Sequence, residues 1–457
     1  MPTKLYAALF SLLLLLGWAP VARSQPARRP TVVLISIDGL RPDYVIEAER
    51  RGVRAPNLRR LVTGGVSAER VRGVVPTVTY PSHTTMITGV SPAKHGIFTN
   101  TTFDPFWKNF DGWYWYSEDI RVPTLWDAAL GAGLVTANVH WPVSVGAKIT
   151  YNLPQIWRSG HVDDRKMLKA LATPGLIDEL ERDLGPYADG IGESMPGDEV
   201  RGRFAVRLLE QKRPNFMTAY FTALDHEEHE SGPFSAASLA VLERIDAIVG
   251  TLVAAAERID PGNAVVCVVS DHGFVKTSKV VNLFAAFRGA GLMAFDEKNK
   301  ITSWQATPWA AGGSAAIVIN PAASAEVRAE VRTKVGGLLK QLAADPASGI
   351  AEVLDADALH ARGGFPDAAF LVDMKPGYFL GRETSGPLVT PTVTAGMHGY
   401  LPSLPEMASS FFIAGAGIGR GRSLGETDMR DIAPTIAALL GFALPAAEGK
   451  SLPVRDR

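Results

Sequence analysis

Six acidic and imidazole side chains stand at positions where they could hold metal ions. Asp225 and His229 are four residues apart, a spacing that puts both side chains on one face of a helical turn. Asp271 and His272 are adjacent in VVSDHGF, where the chain turns and both side chains can reach one centre. Three carboxylates and three imidazoles are too few to close two tetrahedral zinc sites, but they suffice for two open catalytic sites. The six residues are Asp38, Asp225, His229, Asp271, His272 and His398.

Thr79 offers a hydroxyl nucleophile for the same site. It stands in VVPTVTYPSHTTMITG, just ahead of a helix-like segment. A hydroxyl at the start of a helix is a usual place for an anionic ligand in α/β proteins. Thr79 could complete one metal site, while substrate or water completes the other. Two divalent cations about 4 Å apart are a common arrangement for in-line displacement at phosphorus, so the set predicts phosphoryl-transfer chemistry.

Each of these residues could also have an ordinary structural role. An aspartate at the end of a strand can cap a helix, and Asp-His-Gly can form a plain turn. The glutamates around His229 could belong to a solvated face. Only the ordered set, taken together, favours a metal site over these alternatives.

Apolar strand-like segments alternate with helical segments along the chain. This alternation predicts an α/β fold with a mainly parallel central sheet and helices on both faces. Three of the predicted strands end in aspartate, at positions 38, 225 and 271, which indicates one site at the carboxyl edge of the sheet. Residues from about 276 to 395 are less regular and are predicted to form a smaller inserted lobe.

The first 24 residues have the pattern of a cleaved secretory signal peptide. Lys4 precedes a short apolar segment, and Ala22-Arg23-Ser24 supplies small residues for cleavage. About fifteen apolar residues are few for a membrane span, so we expect no stable membrane anchor. Residues 25–457 would then form the catalytic domain of a periplasmic or secreted protein. The net charge of −1 gives no electrostatic reason to expect a nucleic-acid polymer as partner.

The order of these motifs resembles the nucleotide pyrophosphatase/phosphodiesterase family of the alkaline phosphatase superfamily. The resemblance runs from about residue 31 to the C-terminus. It is carried by an aspartate after the first strand, PTVTYPSH around the nucleophile, HGIFTN, a Trp-Pro pair, D-x3-H-x2-GP, DHG and GMHGY. The chain departs from the family pattern at Ser82, where asparagine is usual, and at Val143, where glycine is usual.

The resemblance implies an alkaline phosphatase-like fold and a site with two zinc ions. One zinc would be held by Asp38, Thr79, Asp271 and His272, and the other by Asp225, His229 and His398. The implied reaction is hydrolysis of phosphodiester or pyrophosphate bonds in small, nucleotide-type substrates through a phosphothreonine on Thr79. Asn100 would donate to a phosphoryl oxygen. Tyr80 would stack on a base, with Trp157 on the opposite side.

Two other functions stay open at this point. A phosphomonoesterase with the same nucleophile and metals would add a cationic group over the extra phosphate charge, and Lys148 is the candidate for that role. A non-catalytic phosphate- or metal-binding protein would not need a nucleophile at Thr79. Mixed Asp and His ligands suit zinc, but other divalent metals such as manganese or iron could also enter.

Overall fold

The computed structural model describes residues 29–109, 112–157 and 160–456. The predicted signal peptide, residues 1–24, lies outside the described residues. The strands of the two main sheets are β1 (Val32–Ile37), β2 (Val66–Ser67), β3 (Thr136–Val139), β4 (Tyr151–Leu153), β5 (Phe216–Phe221), β6 (Val265–Val269), β7 (Ala306–Ala310), β8 (Ser314–Ile319), β9 (Ile350–Asp355), β10 (Ala368–Met374), β11 (Phe411–Gly415) and β12 (Arg422–Ser423).

The helices of eight or more residues lie between and around these strands. None of the described helices is both long and apolar enough to cross a bilayer. The longer helices are α1 (Pro56–Gly64), α2 (Thr79–Thr88), α3 (Asp164–Leu171), α4 (Leu176–Leu184), α5 (Met195–Lys212), α6 (Ala223–Ser231), α7 (Ala236–Ile259), α8 (Ala325–Ala344) and α9 (Ile432–Leu440).

The central sheet has eight strands in the order β12-β2-β11-β6-β1-β5-β3-β4. The neighbours from β6 to β4 run parallel, whereas β11 is antiparallel to both of its neighbours. Every residue of β1, β5 and β6 is buried. Parallel strands that are covered on both faces have near-continuous apolar sequences, as these do. The predicted mainly parallel sheet is confirmed.

Helices cover both faces of this sheet. Val33 and Ile35 of β1 belong to an apolar cluster that includes residues of α1, α5 and α7. Val32 and Leu34 point the other way, into a cluster with residues of α2 and α9. Alternate side chains of one strand therefore meet different helix layers, as the period of two along a strand requires.

The segment from about 276 to 395 contains a second sheet with its own apolar cluster. Its four strands are antiparallel in the order β7-β8-β10-β9, and α8 packs on it through Val331, Val335 and Leu339. The two ends of the segment meet in a short antiparallel pair, Val275–Lys276 with Gly396–Met397. The chain therefore leaves the central sheet just after His272 and returns to the same place just before His398.

The register of the central sheet brings the predicted aspartates to one edge. Ser36 of β1 is level with Tyr220 of β5 and with Val269 of β6, so Asp38 and Asp271 each lie two residues beyond this level. Asp225 was predicted to end a strand, and this is wrong. β5 ends at Phe221, and Asp225 lies in the first turn of α6.

The early end of β5 has a physical cause in a buried carboxylate. Asp198 accepts hydrogen bonds from the backbone N–H groups of Thr222 and Ala223, at 3.0 and 2.9 Å. These are free donors at the start of a helix, and a carboxylate there stabilises the helix. The helix therefore begins directly after the strand, with Asp225 and His229 on one face.

Candidate active site

The three predicted aspartates converge on one histidine nitrogen. His272 Nε2 lies 3.3 Å from Asp38 Oδ1, 3.1 Å from Asp271 Oδ2 and 3.9 Å from Asp225 Oδ1. Within the described part of the chain, these three carboxylate oxygens are buried and accept no hydrogen bond. A buried carboxylate oxygen without a donor is costly unless a cation compensates it. The arrangement therefore fits metal ions.

The three histidines are oriented from behind by backbone carbonyl groups. The Nδ1 atoms of His229, His272 and His398 face the carbonyl oxygens of Gly396, Gly273 and Thr77, at 3.0, 3.3 and 3.3 Å. A neutral imidazole that donates from Nδ1 presents a lone pair at Nε2. Such outer partners are typical of metal-binding histidines, because they fix the ring and its tautomer.

Two groups of these side chains could each hold a metal ion. One consists of Asp38, Asp271 and His272, and the other of Asp225, His272 and His398. His229 joins the second group, since its Nε2 lies 3.5 Å from Asp225 Oδ2. The family resemblance assigns His272 to the first group alone, whereas its Nε2 lies within reach of both.

Burial sets the protonation of the site before any cation is bound. It raises the pKa of Asp38 and Asp225 well above the usual range, and their mutual repulsion with Asp271 adds to this shift. Burial raises the pKa of Asp271 to about 6 and lowers the pKa of His229 to about 4. The imidazoles are therefore neutral, as ligands must be, and the crowded carboxylates favour any cation that joins them.

Thr79 begins α2 beside this group. Its Oγ1 lies 3.5 Å from His272 Nε2, and its carbonyl oxygen faces Nδ1 of the buried His83 at 2.8 Å. The other nitrogen of His83 lies 2.9 Å from Ser36 Oγ on β1. His83 thus ties the first turn of α2 to the central sheet, which fixes the position of the Thr79 hydroxyl.

Asn100 lies beside Thr79, the nucleophile predicted from the sequence. Its Oδ1 accepts a hydrogen bond from the backbone N–H of Tyr80 at 2.9 Å. This contact occupies the acceptor side of the amide, so the Nδ2 group is the part that can donate to a ligand.

Tyr80 does not present a free ring for base stacking. Its side chain is 1% exposed, and its hydroxyl donates to Gln155 Oε1 at 2.7 Å. Its ring packs against Trp113 and Trp115, with centroids 5.4 and 6.0 Å apart. Trp157 packs on Trp113 at 4.8 Å, and both of these tryptophans are only partly buried. The accessible aromatic surface here is therefore that of Trp113 and Trp157.

Lys148 lies away from the converging side chains. It is 73% exposed and pairs with Asp127 at 3.7 Å, next to the short helix Leu125–Gly131. The largest charge–charge influences on Asp225 come from Asp271, Glu193 and Glu228, which are all acidic. Among the described residues, Lys148 thus pairs with Asp127 and makes no ion pair with the converging carboxylates.

Sequence reasoning misses several residues near the site. The Tyr220 hydroxyl donates to Asp38 Oδ2. A fully buried ion pair between Arg201 and Asp198 lies behind the start of α6. Tyr220 could have been found from its place next to the end of β5, level with Ser36. The ion pair depends on contacts between distant parts of the chain and carries no local pattern.

The curated proteins that are similar to this chain include a nucleotide pyrophosphatase/phosphodiesterase and a bis(5'-adenosyl)-triphosphatase. Ectonucleotide pyrophosphatase/phosphodiesterase family member 3 from Rattus norvegicus is 28% identical over 261 residues, which are 55% of this chain and 25% of the relative. Bis(5'-adenosyl)-triphosphatase from Bos taurus is 26% identical over 265 residues, 57% of this chain and 51% of the relative. The chain thus spans a quarter to a half of the length of these curated relatives.

A solved structure and a family model agree with these sequence matches. Murine ectonucleotide pyrophosphatase/phosphodiesterase 5, solved as an inactive variant in complex with AMP, is similar with a TM-score of 0.64 and 20% identity over 92% of this chain and 97% of that one. The model of the type I phosphodiesterase/nucleotide pyrophosphatase family matches residues 32–401. Because this match covers most of the chain, the protein belongs to the type I phosphodiesterase/nucleotide pyrophosphatase family.

Proposed function

We propose that this protein hydrolyses phosphodiester or pyrophosphate bonds of small, nucleotide-type substrates, with Thr79 as nucleophile. The observation that carries the proposal is the group of three buried carboxylate oxygens around His272 Nε2, with the Thr79 hydroxyl 3.5 Å from the same nitrogen. Mere metal binding needs no hydroxyl at that place. The similar murine protein was solved with AMP, which supports a nucleotide-type substrate.

The residues fit two zinc ions. One would be held by Asp38, Asp271, His272 and Thr79, and the other by Asp225, His229 and His398. When bound, the two ions would supply positive charge that lowers the pKa of the Thr79 hydroxyl and stabilises negative charge on the phosphoryl group.

The side chains of the protein then have distinct tasks. Thr79 gives its proton to water, attacks phosphorus and forms a phosphothreonine, while the bond to the leaving group breaks and the leaving oxygen takes a proton from water. A second water hydrolyses the phosphothreonine and restores Thr79. The Nδ2 group of Asn100 donates to a non-bridging oxygen as its charge grows. His83 keeps Thr79 in line by holding its carbonyl group.

The test compares bis-p-nitrophenyl phosphate with p-nitrophenyl phosphate on the zinc-loaded protein. We expect a higher kcat/KM for the diester, and a loss of roughly a thousandfold or more in Thr79→Ala. The zinc content of each variant is measured in parallel, so that loss of metal is distinguished from loss of the nucleophile. A Thr79→Ala protein that keeps its zinc and its diesterase activity would disprove the assignment of the nucleophile.

The location of the protein is part of the proposal. The relatives include ectoenzymes and venom phosphodiesterases of Crotalus adamanteus. We infer a periplasmic or secreted protein, which is consistent with the signal peptide predicted from the sequence.

A further inference from the structure

Glu193 lies over the first turn of α6. Its backbone carbonyl accepts a hydrogen bond from Thr222 Oγ1 at 3.3 Å, and its Oε2 lies 4.0 Å from His226 Nδ1. Thr222 and His226 stand on either side of Asp225 in the sequence, so Glu193 is a neighbour of the second group of proposed metal ligands. Its side chain is 46% exposed, so its carboxylate is open to solvent beside α6.

The loop that carries Glu193 is anchored to the same helix start. The buried Arg201 guanidinium donates to the carbonyl oxygens of Gly190 and Gly192, at 2.9 and 2.7 Å, and to Thr222 Oγ1 at 2.6 Å. Arg201 is in turn paired with Asp198, which binds the first N–H groups of α6. One ion pair thus fixes both the loop and the helix, so that the position of Glu193 relative to Asp225 is set by the buried interior.

The charge of Glu193 acts on two parts of the site. Burial is the main cause that raises the pKa of Asp225 and of the Tyr80 hydroxyl, and the negative charge of Glu193 adds to both shifts, after that of Asp271 in the case of Asp225. Two zinc ions, when bound with Asp38, Asp225 and Asp271, would leave a net charge of about +1 while Thr79 is protonated, which matches the single charge of a phosphodiester. A phosphomonoester brings a second negative charge, and the acidic Glu193 repels it.

We propose that Glu193 is a specificity-determining residue, which selects substrates by the charge of the group attached to phosphorus. It disfavours the dianion of a phosphomonoester and favours diesters whose substituent is neutral or cationic. The partly buried rings of Trp113 and Trp157, which belong to the same aromatic cluster as Tyr80, suit both kinds of substituent, because an aromatic face attracts cations and stacks on flat rings. This inference rests on the proposed function, since it concerns the substrate of that site.

The experiment uses three substrates that all release p-nitrophenol but differ in charge. They are p-nitrophenyl phosphate, bis-p-nitrophenyl phosphate and p-nitrophenyl phosphorylcholine. In Glu193→Gln, we expect kcat/KM to rise for the monoester and to fall for the choline diester, each by roughly threefold to tenfold, which is the range for one charge acting through partly solvated protein. The kcat/KM for bis-p-nitrophenyl phosphate, whose substituent is uncharged, should change least. Glu193→Asp keeps the charge and should therefore rank the three substrates by kcat/KM in the same order as the wild type.

One control variant shows whether the effect belongs to the charge at position 193. Glu227→Gln removes one charge from α6, at a carboxylate that accepts a hydrogen bond from Ser231, and should leave the relative kcat/KM values of the three substrates unchanged. The role of Glu193 would be overturned if the relative kcat/KM values of the three substrates were equal in Glu193→Gln and the wild type. It would also be overturned if Glu227→Gln changed them in the same way as Glu193→Gln. Thr79→Ala tests the proposed function separately, because it should abolish the hydrolysis of all three substrates whatever residue stands at position 193.

Discussion

At the scale of single residues, Asn100 has separate atoms for the backbone next to Thr79 and for the proposed substrate. Its Oδ1 holds the N–H of Tyr80, the residue that follows Thr79, and its Nδ2 is left to donate. The first contact is structural, and the second is the one that the proposed mechanism uses. The two can be separated by substitutions that keep the first and remove the second.

Asn100→Asp keeps an acceptor for the Tyr80 N–H but loses the donor. We expect kcat for a phosphodiester to fall by roughly a hundredfold or more, as for other donors to a developing oxyanion, while the melting temperature stays close to that of the wild type. Asn100→Ala loses both contacts and should also lower the melting temperature. Unchanged kcat in Asn100→Asp would show that Nδ2 does not act on the phosphoryl group.

At the scale of elements, the second sheet positions His398. The backbone N–H of Gly313, next to β8, donates to the His398 carbonyl at 2.7 Å, and the Ser314 hydroxyl donates to the Gly399 carbonyl at 2.6 Å. Gly399 has a positive φ of 87°, and a Cβ there would lie 1.7 Å from the Ala311 carbonyl oxygen. The close approach of these two backbones therefore requires glycine at position 399.

Gly399→Ala should displace His398 as well as destabilise the fold. We expect a loss of roughly 2–4 kcal/mol in the free energy of unfolding, with a lower zinc stoichiometry of the folded protein. Gly386→Ala is the matched control, because Gly386 has a φ of 89° but nothing lies within 4 Å of its Cβ position. That control should lose about 1–2 kcal/mol and keep its zinc. If both variants behave alike, the contact with Ala311 is irrelevant to the site.

Asp373 joins β10 of the second sheet to the chain just beyond His398. Its Oδ1 accepts a hydrogen bond from the Leu401 N–H at 2.9 Å, and burial, reinforced by Glu352, raises its pKa from 3.8 to about 7. Between these two values, the folded state holds the proton more tightly than the unfolded state does. Raising the pH through this range therefore removes stability.

Asp373→Asn should weaken the dependence of stability on pH. Through this group, we expect the free energy of unfolding of the wild type to fall by up to about 4 kcal/mol between pH 4 and pH 7, and that of the variant to fall correspondingly less. Urea unfolding across this pH range measures both. Asparagine still accepts from Leu401, so the native contact is kept. Glu352→Gln should keep the dependence but move it to lower pH. An equal slope in Asp373→Asn and the wild type would exclude Asp373 as its source.

The sequence predicts the parts of the site that depend on local pattern. β1 and β6 are apolar, β-branched segments that end next to Asp38 and Asp271, so both positions follow from the strands themselves. The place of Asp225 could not be predicted in this way, since β5 stops early because of Asp198, which is 27 residues before it in the chain. The burial of Tyr80 likewise depends on Trp113 and Trp115, which reach it only through tertiary packing.

At the scale of the whole molecule, the crowded carboxylates make stability depend on metal. Removing zinc with EDTA should lower the melting temperature, and zinc at 100–1,000 times its Kd should raise the free energy of unfolding by about 2.7–4.1 kcal/mol. Asp225→Asn removes one of the buried charges, so its metal-free form should be more stable than that of the wild type and its response to zinc smaller. An identical response to EDTA in the two proteins would contradict the assignment of Asp225 as a ligand.

The shared position of His272 has a consequence for how the protein takes up its metals. One lone pair at Nε2 can serve only one ion, although Asp38, Asp271 and Asp225 all lie within 4 Å of it. Of the two proposed ions, the one that binds His272 would gain a ligand that the other lacks, so we expect the two sites to have unequal affinities. If two zinc ions bind as proposed, we expect uptake in two separate steps, with a half-loaded protein as the principal species wherever zinc is scarce.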